Sequence, residues 1–490
     1  MVGKGEKGMG TRVSAKTGTS IVAAVLMAAS LTASAHAAVF CVKASGKISP
    51  QVAKRLGCGS NVYTTIGAAV GAASAQDTIY VLSGRYFEMV TIPSSLFGLQ
   101  LIGEDPRNTV IDATGKANGF FDQAAEVNIE HFTVENAEHE GILVEGPPAD
   151  CTGTPANCTP SLTVPQIGLV RIEDNWVEGN DKALDTSTTP PTCPTVGNVD
   201  AAPFFEQEDC GEGIHLDGVV DSTVEKNRVM NNAGGVLLTD ETNSNRNNLV
   251  IDNEVKNNAP DCGITLASHP PNGSRANIGV ASFGVYNDTV MTNLSEGNGA
   301  AGTGVFAPTP GTASYGHSIL GNRLIGNTNP GVVVHSHAPE QKISHIGIYG
   351  NFIKGNGAEP SVDSGSDGPA SPTGIEIYAD PAASAVTGVD IATNTIRNET
   401  NDVWVGAPGW SNCSVDTTPC YVVMANLNEF PSRSVGVANT GSTNDVFVDA
   451  TDNFWGCAKG PAGAPACATF TGNVEGVPFL SKSPGPPYPP

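Results

Sequence analysis

The feature that most constrains this chain is a short repeated motif: an asparagine, any residue, an apolar residue, two further residues and a second asparagine. Five full copies occur, at Asn175–Asn180, Asn227–Asn232, Asn253–Asn258, Asn322–Asn327 and Asn351–Asn356. Most copies are followed by Gly-apolar-x-apolar and preceded by another short alternating segment. A unit this small cannot bury its own apolar face, so neighbouring units must stack into a solenoid with one continuous core.

The segments within each unit predict which solenoid forms. They are short, they alternate with period two, and they are joined by Asn and Gly rather than by helices, which is typical of an all-β parallel β-helix. Asn suits the corners because it tolerates left-handed backbone and hydrogen-bonds to nearby backbone groups. We therefore interpret the repeated asparagines as structural ladders. His131, which takes the first position of a looser copy ending at Asn136, is given the same role.

The first 37 residues have the pattern of a bacterial export signal. Basic residues come first, followed by an apolar run from Ile21 to Leu31 and a cleavage site of small residues at Ala35–Ala37. The run is too short to span a bilayer. No later segment is long and apolar enough to anchor the chain, so we expect a secreted or periplasmic protein without a membrane anchor.

The charge of the chain restricts its partners. The net charge is −24, and removing the signal with its four basic residues and one acidic residue brings it to about −27. Such a surface argues against nucleic acid or an anionic membrane as a partner. It also disfavours a polyanionic substrate unless a cation lies between the two.

The spacing of the cysteines predicts disulfide bonds within loops. Ten of the eleven are close neighbours in pairs, and an oxidising compartment would let them form disulfides: Cys41/Cys58, Cys151/Cys158, Cys193/Cys210, Cys413/Cys420 and Cys457/Cys467. Their spacing does not match a zinc ribbon. Cys262 is left over, and we interpret it as a buried, inert thiol.

Two terminal regions carry a resemblance to a known family. The segments Thr64–Val70, Asp77–Ile92 and Leu101–Gly115 resemble the N-terminal cap of the pectate-lyase-like right-handed parallel β-helix superfamily, and Asp449–Cys457 resembles the closing turn of secreted bacterial members. The superfamily includes lyases, pectin esterases and epimerases, so the resemblance implies the fold rather than a reaction. It implies a single-stranded right-handed parallel β-helix solenoid with a short N-terminal capping helix, for which Thr64–Ser74 is the candidate.

The predicted organisation follows from these regions. An export signal covers residues 1–37, the N-terminal cap and first turns 38–115, the β-helix 116–480, and a Pro-rich tail 481–490. Loops rich in Pro, Gly, Ser and Thr interrupt the β-helix, nearly always after the Gly-apolar-x-apolar strand, at 147–166, 186–211, 268–282, 307–316, 358–373 and 406–420. Loops that leave successive units at one corner gather on one side, where they could wall a groove.

The candidate site residues lie on one face of the Gly-apolar-x-apolar strands. Residues one and three positions after the Gly should face the core, so those at two, four and six should face solvent. The polar residues there form two clusters about four units, or nearly 20 Å, apart. The first contains His215, Asp217, Glu241 and His269, and the second contains His335, His337, Glu376, Tyr378 and Asp380. Glu145 lies on the same face, four positions after Gly141. An imidazole beside a carboxylate suits acid–base chemistry near neutral pH.

Standard signatures of related enzymes are missing from the sequence. Gly316-His317-Ser318 is only a fragment of the Gly-His-Gly motif of polygalacturonases, and His215-Leu216-Asp217 is distant from the Asp-Pro-His-Asp motif of mannuronan epimerases. The stripe offers no Lys or Arg at these positions, which argues against a calcium-type pectate lyase.

The leading hypothesis is an exported enzyme, a polysaccharide lyase or glycoside hydrolase, that cleaves a glycan along the groove, with elimination favoured over hydrolysis. His215 or His335 would be the base, partnered by Asp217 or by Tyr378 and Asp380. Glu145, Glu241, His269, Glu376 and Asp380 would bind substrate, and His337 would share the site of His335.

Two alternatives remain at this point, and the cofactor is open among none, Ca, Zn and Cu. In the first, His335 and His337, together with Asp380 or His269, bind Cu or Zn. The chain would then be a periplasmic protein whose fold is similar to that of the β-helix protein assisting copper delivery in nitrous oxide reductase maturation. In the second, the chain is a non-catalytic glycan-binding or adhesion solenoid.

Overall fold

The computed structural model describes most of the chain from Ala37 onward. The described ranges are 37–152, 157–159, 166–187, 211–269, 284–307, 312–336, 342–360, 368–379, 385–406, 421–441 and 447–485. Residues 1–36 of the predicted export signal and residues 486–490 of the Pro-rich tail lie outside them, and both segments stay predictions.

Two short α-helices open the described chain. The first, Pro50–Leu56, begins after Ser49, whose hydroxyl accepts a hydrogen bond from the N–H of Val52 at 3.3 Å. The second, Ile66–Val70, lies within the predicted Thr64–Ser74 and buries Ile66, Ala69 and Val70. The capping helix is therefore shorter than expected, and a helix precedes it that the sequence did not predict. Neither helix of the described chain has the length and apolar character needed to cross a membrane.

The rest is built from three parallel β-sheets whose strands follow one another around each turn, as in a parallel β-helix. The first sheet has 20 described strands. Their bounds are Val39–Val42, Val62–Tyr63, Thr78–Val81, Gln100–Gly103, Asn128–Glu130, Ile167–Gly168, Arg171–Glu173, Val219–Val220, Thr223–Glu225, Asn245–Arg246, Leu249–Ile251, Val285–Tyr286, Thr289–Met291, Ala313–Tyr315, Ser318–Leu320, Lys342–Tyr349, Ala385–Ala392, Tyr421–Asn426, Phe447–Asp449 and Val474–Glu475.

The second sheet has 10 described strands and the third has 12. The strands of the second sheet are Gly84–Tyr86, Thr109–Asp112, Thr133–Glu135, Trp176–Glu178, Arg228–Met230, Glu254–Lys256, Leu294–Glu296, Arg323–Ile325, Phe352–Lys354 and Thr395–Arg397. Those of the third are Val90–Ile92, Phe120–Asp122, Ile142–Glu145, Glu212–Asp217, Gly234–Thr239, Ile264–Ala267, Thr303–Ala307, Val332–Ser336, Thr373–Ala379, Asn401–Gly406, Val435–Asn439 and Thr469–Thr471. A 3₁₀ turn, Ser94–Leu96, and an antiparallel hairpin, Asp150–Thr152 with Asn157–Thr159, complete the elements.

The interior of the solenoid is a single apolar core that runs along the stacked turns. Each strand contributes alternate side chains, as Ile214 and Leu216 do in one strand and Val332 and Val334 in another. Because every unit adds only a few branched residues, its stability depends on the units above and below it. The observed architecture confirms the predicted all-β, right-handed parallel β-helix with a short N-terminal capping helix.

The repeated asparagines form two ladders at the corners of the solenoid. In each ladder the side-chain N–H of one Asn donates to the Oδ1 of the next, over 2.9–3.1 Å in the first and 2.9–3.2 Å in the second. The first ladder contains Asn175, Asn227, Asn253, Asn293, Asn322, Asn351, Asn394, Asn428 and Asn453; the second contains Asn180, Asn232, Asn258, Asn298, Asn327 and Asn356. The expected stacking of Asn227, Asn253, Asn322 and Asn351 is confirmed.

The bend at each corner is made by the residue before the ladder asparagine. Lys226, Asp252 and Thr292 have positive φ angles of 55°, 56° and 54°, and each precedes an Asn of the first ladder. The expectation for His131 was one residue off, because the N–H that donates to Asn175 Oδ1 belongs to Phe132, at 3.0 Å. His131 is itself the bend, with a φ of 64°.

Among the described side chains, the predicted disulfides Cys41–Cys58 and Cys457–Cys467 are confirmed. Cys151 and Cys158 are paired positions of the antiparallel hairpin. The other two pairs lie outside the described residues. Cys262 is free and buried, as predicted.

Candidate functional site

The candidate residues lie on the outer side of the third sheet. Ile214 and Leu216 point into the core, so the residues that alternate with them, His215 and Asp217, point away from it. His335 has the same relation to Val332 and Val334. The orientation counted from the sequence is therefore the observed one.

Exposure, in contrast, was predicted wrongly. The outward side chains were expected in solvent, yet His215 is only 4% exposed, Asp217 and His335 are 1% exposed, and Glu376 is 0% exposed. Segments that leave the strand ends supply part of the cover: the N–H of Thr242 donates to Asp217 at 2.9 Å. Polar groups held in this way experience a low dielectric, which strengthens their mutual electrostatic interactions.

The structure brings Glu145 together with the four residues of the first cluster, and the five are treated as one cluster from here on. His269 Nδ1 and Glu241 Oε1 are 2.9 Å apart, and the charge of Glu241 acts on both His215 and Glu145. Glu145 and Asp217 are paired positions on neighbouring strands. Two neighbouring strands of the third sheet and the residues that follow the next two strands thus converge on one small region.

The two glutamates of this cluster have pKa values shifted in opposite directions. Burial raises the pKa of Glu145, and the charge of Glu241 raises it further, although a hydrogen bond from Gln123 at 2.9 Å opposes the shift. For Glu241, the hydrogen bond and charge of His269 outweigh burial and hold the pKa below its usual value. Neighbouring carboxyls whose pKa values are pushed apart are typical of an acid and a base.

His215 is a neutral imidazole at physiological pH. Burial is the main cause that lowers its pKa to about 4, and the charge of Glu241 opposes this only in part. Its Nε2 lies 2.8 Å from Thr239 Oγ1, while its Nδ1 is buried without a hydrogen-bond partner among the described residues. A neutral nitrogen with an available lone pair can accept a proton or bind a metal ion.

The second cluster is largely aromatic. His335 and Tyr378 are paired positions on adjacent strands, the ring of Phe306 lies 4.7 Å from that of His335, and the rings of Tyr378 and Trp404 stack at 5.9 Å. Burial raises the pKa of Glu376 well above its usual range, and the nearby Glu359 raises it further.

The structure keeps the two clusters apart. Four strand steps separate His215 from His335 in the third sheet, which corresponds to about 19 Å. His337 and Asp380, which were expected to join the second cluster, lie outside the described residues, so their placement remains a prediction.

A buried Ser-His-Asp set lies elsewhere, but its hydrogen bonds run in the wrong direction for catalysis. His317 Nδ1 accepts the backbone N–H of Asp288 at 3.2 Å, so Nε2 carries the hydrogen and donates to Ser314 Oγ at 3.0 Å. The serine is therefore not activated by a base. His317 instead ends a short third ladder, in which Asp288 Oδ1 accepts the N–H of Asn248 at 2.7 Å.

Several residues of the site were not selected from the sequence. Thr239 is paired with Asp217 in the third sheet, and the same count from the Gly would have found it. Trp404 is paired with Glu376, but its strand lacks the Gly that marked the others. Gln123 follows an early strand and carries no local signal.

Comparison with known families identifies the group to which the chain belongs. The model of the family described as NosD, periplasmic copper-binding protein, matches residues 70–367, more than half of the chain. The chain belongs to the NosD family. No curated protein sequence matches it.

Solved structures of other β-helix proteins are similar to the chain at low identity. The mannuronan C-5 epimerase AlgE4 A-module of Azotobacter vinelandii is 16% identical with a TM-score of 0.42, over 85% of this chain and 91% of that one. The GH87 α-1,3-glucanase catalytic unit of Streptomyces thermodiastaticus is 12% identical with a TM-score of 0.41, and this chain spans 63% of its length. The Dettilon tailspike protein is 11% identical with a TM-score of 0.46, over 85% of this chain and 65% of that one. They carry no information about the reaction of this NosD-family chain.

The described residues do not form a site for the copper in the family's name. Nowhere among them do three His, Cys, Asp or Glu side chains lie so that they could hold a metal ion. Burial raises the pKa of the Cys262 thiol well above its usual value, so it stays protonated and is a poor ligand. His269 is already engaged by Glu241.

Proposed function

We propose that this NosD-family protein is an exported enzyme that cleaves a polysaccharide bound along the outer side of the third sheet. The observation that carries the proposal is the pair Glu145 and Glu241, with pKa values shifted in opposite directions beside the neutral His215. Glu145 would be the general acid, and His215, supported by Glu241, the general base.

The burial of the cluster favours elimination over hydrolysis. Hydrolysis needs a positioned water molecule, whereas elimination needs only a base to take a ring proton and an acid to protonate the leaving oxygen. The base His215 is buried and the acid Glu145 is half-buried, so the cluster supplies these two groups and limits the access of water.

Burial of carboxyl groups lessens the conflict between an acidic protein and an acidic sugar. It raises the pKa values of Asp240 and Glu376 well above their usual range and so favours their uncharged forms. The aromatic side chains of Phe306, Tyr378 and Trp404 continue along the same side of the sheet, and such rings suit the apolar faces of sugars.

The test is depolymerisation of a panel of neutral and uronic-acid glycans by the exported protein. Elimination would release an unsaturated sugar that absorbs ultraviolet light, whereas hydrolysis would give new reducing ends without that absorbance. Glu145→Gln and Glu241→Gln should each abolish cleavage, and Glu138→Gln, an exposed position, is the matched control. Intact glycans throughout the panel would refute the proposal.

Membership of the NosD family favours a second candidate, copper binding. Since the described residues offer no three-ligand group, we propose that His335 would bind copper only together with His337 and Asp380. Metal analysis of the exported protein tests this: His335→Asn should lose bound copper and His215→Asn should retain it. A glycan-binding or adhesion solenoid would show neither cleavage nor bound metal.

A further inference from the structure

The hydroxyl of Thr239 lies between the two polar groups that the sequence placed at the first cluster. Its Oγ1 is 2.8 Å from His215 Nε2 and 3.4 Å from Asp217 Oδ1. All three residues are buried, with exposed fractions of 0% for Thr239, 4% for His215 and 1% for Asp217. Solvent therefore does not decide where the hydrogens lie in this group.

The direction of these hydrogen bonds follows from the available donors. Asp217 Oδ1 already accepts the backbone N–H of Thr242 at 2.9 Å, and a carboxylate oxygen can only accept. Thr239 has one hydroxyl hydrogen, which it directs to Asp217. Its oxygen is then an acceptor toward His215, so the hydrogen of the imidazole must be on Nε2.

The opposite tautomer would be costly. If Nε2 accepted from Thr239, the hydrogen would be on Nδ1, which is buried and has no hydrogen-bond partner among the described residues. A buried N–H without an acceptor is rarer and less favourable than an unpaired acceptor. Both arguments place the lone pair of His215 on Nδ1.

We propose that Thr239 is a positioning residue that holds His215 in the Nε2–H tautomer and thereby makes Nδ1 the atom that takes the proton from the substrate. This inference rests on the proposed elimination. In the step, Nδ1 takes the proton next to the sugar carboxyl group, and that electron pair forms the carbon–carbon double bond. The bond to the glycosidic oxygen breaks, and this oxygen takes the proton of Glu145. His215 ends as an imidazolium and Glu145 as a carboxylate, and proton exchange with solvent restores both.

His317 offers an internal reference for this assignment. It also carries its hydrogen on Nε2, which donates to Ser314, but its Nδ1 accepts the N–H of Asp288 at 3.2 Å. The two histidines thus share a tautomer and differ in whether Nδ1 is occupied. Of these two histidines, His215 is the one whose buried Nδ1 has no hydrogen-bond partner among the described residues.

The test is nitrogen NMR of the isotope-labelled whole protein, with His215→Asn and His317→Asn used to assign the signals. We expect His215 to be protonated at Nε2 in the wild type. Thr239→Val should make its signals a mixture of tautomers and lower kcat about tenfold or more with little change in KM. Thr239→Ser, which keeps the hydroxyl, should restore both, and the signals of His317 should not change.

Two results would overturn the inference: a wild-type His215 protonated at Nδ1, or a tautomer that is unaffected by Thr239→Val. The wild-type spectrum needs no variant, so a misfolded Thr239→Val protein does not remove the test. If the tautomer is as expected but no glycan is cleaved, the proposed enzyme is wrong and the assignment of Nδ1 as the proton acceptor from substrate is overturned with it, while the positioning by Thr239 is upheld.

Discussion

The asparagine ladders and the first cluster are both buried and polar, but they differ in how completely their polar atoms are paired. Asn253 is typical of the ladders: its Oδ1 accepts two N–H groups of Asn227, and its side-chain N–H groups donate to Val224 O and to Asn293 Oδ1, all at 2.9–3.0 Å. In the first cluster, His215 has a buried nitrogen without a partner among the described residues. An unpaired buried group costs about 1–3 kcal/mol, so the difference separates side chains that stabilise the fold from those available for chemistry.

The largest expected effect is on activity and belongs to the first cluster. His215→Asn should lower kcat about 10²- to 10⁴-fold, because it removes the general base. It should lower Tm only by the loss of one buried hydrogen bond, that between Nε2 and Thr239. Glycan cleavage and thermal melting measure the two effects. The matched control is His131→Asn at a corner with positive φ, where Asn is tolerated. Equal activity in the two variants would remove the distinction between cluster and ladder.

The ladder should show the reverse behaviour. Asn253→Ala removes four buried side-chain hydrogen bonds, and we expect a loss of unfolding free energy on the order of 3 kcal/mol. Asn108→Ala, at an exposed position, should cost less than about 0.5 kcal/mol. Denaturant melts of both variants give the comparison, and an unchanged midpoint for Asn253→Ala would mean that the ladder is dispensable.

Asp288 is an intermediate case, a carboxyl in a position where the other ladders have an amide. Burial raises its pKa to about 8, above the value of about 3.9 in an unfolded chain. Its contribution to stability is therefore complete below about pH 4 and is lost as the pH rises through 8. Asp288→Asn has no charge to bury and keeps an Oδ1 that accepts the N–H of Asn248, so it should be more stable than the wild type by about 2 kcal/mol at pH 9.

The difference between these two proteins should shrink at pH 5, where the wild-type carboxyl is protonated. Thermal melts at both pH values measure it. A difference that stays constant with pH would show that Asp288 does not titrate in the folded protein.

The smallest expected effect concerns Cys262, which is buried but carries no ladder or cluster role. Burial raises its thiol pKa well above the usual value, so a thiol reagent should not react with it in the native protein. After denaturation without reduction, we expect one reactive thiol per chain. A higher count would mean that some of the predicted disulfides do not form, and Cys262→Ala is the control that should reduce the count to zero.

The fold was more predictable from the sequence than the site. The Asn-x-apolar-x-x-Asn repeat predicted the stacking. Each Asn hydrogen-bonds to the Asn at the same position of the next unit, so the motif recurs from unit to unit. It did not locate the bend, since a positive φ is adopted there by residues as different as Lys226 and Thr292. A left-handed corner imposed by the surrounding ladder needs no particular side chain.

For the site, period-two alternation predicted which side chains point away from the core, but not their burial. Alternation reports the orientation of a side chain within its own strand, whereas the cover over His215 and Asp217 depends on segments such as Thr242 that follow another strand. The role of Thr239 was missed for a related reason, because it depends on hydrogen-bond direction between neighbouring strands rather than on sequence spacing.

The stacked strands of the third sheet also act as a ruler with fixed divisions. The two clusters are four strand steps apart, and one added or deleted unit would change that separation by about 4.8 Å while leaving the geometry inside each cluster untouched. The distance between two binding positions on such a protein can therefore change only by whole multiples of the strand spacing. Relatives that differ by one unit between the clusters would differ in the length of polymer that can reach both at once.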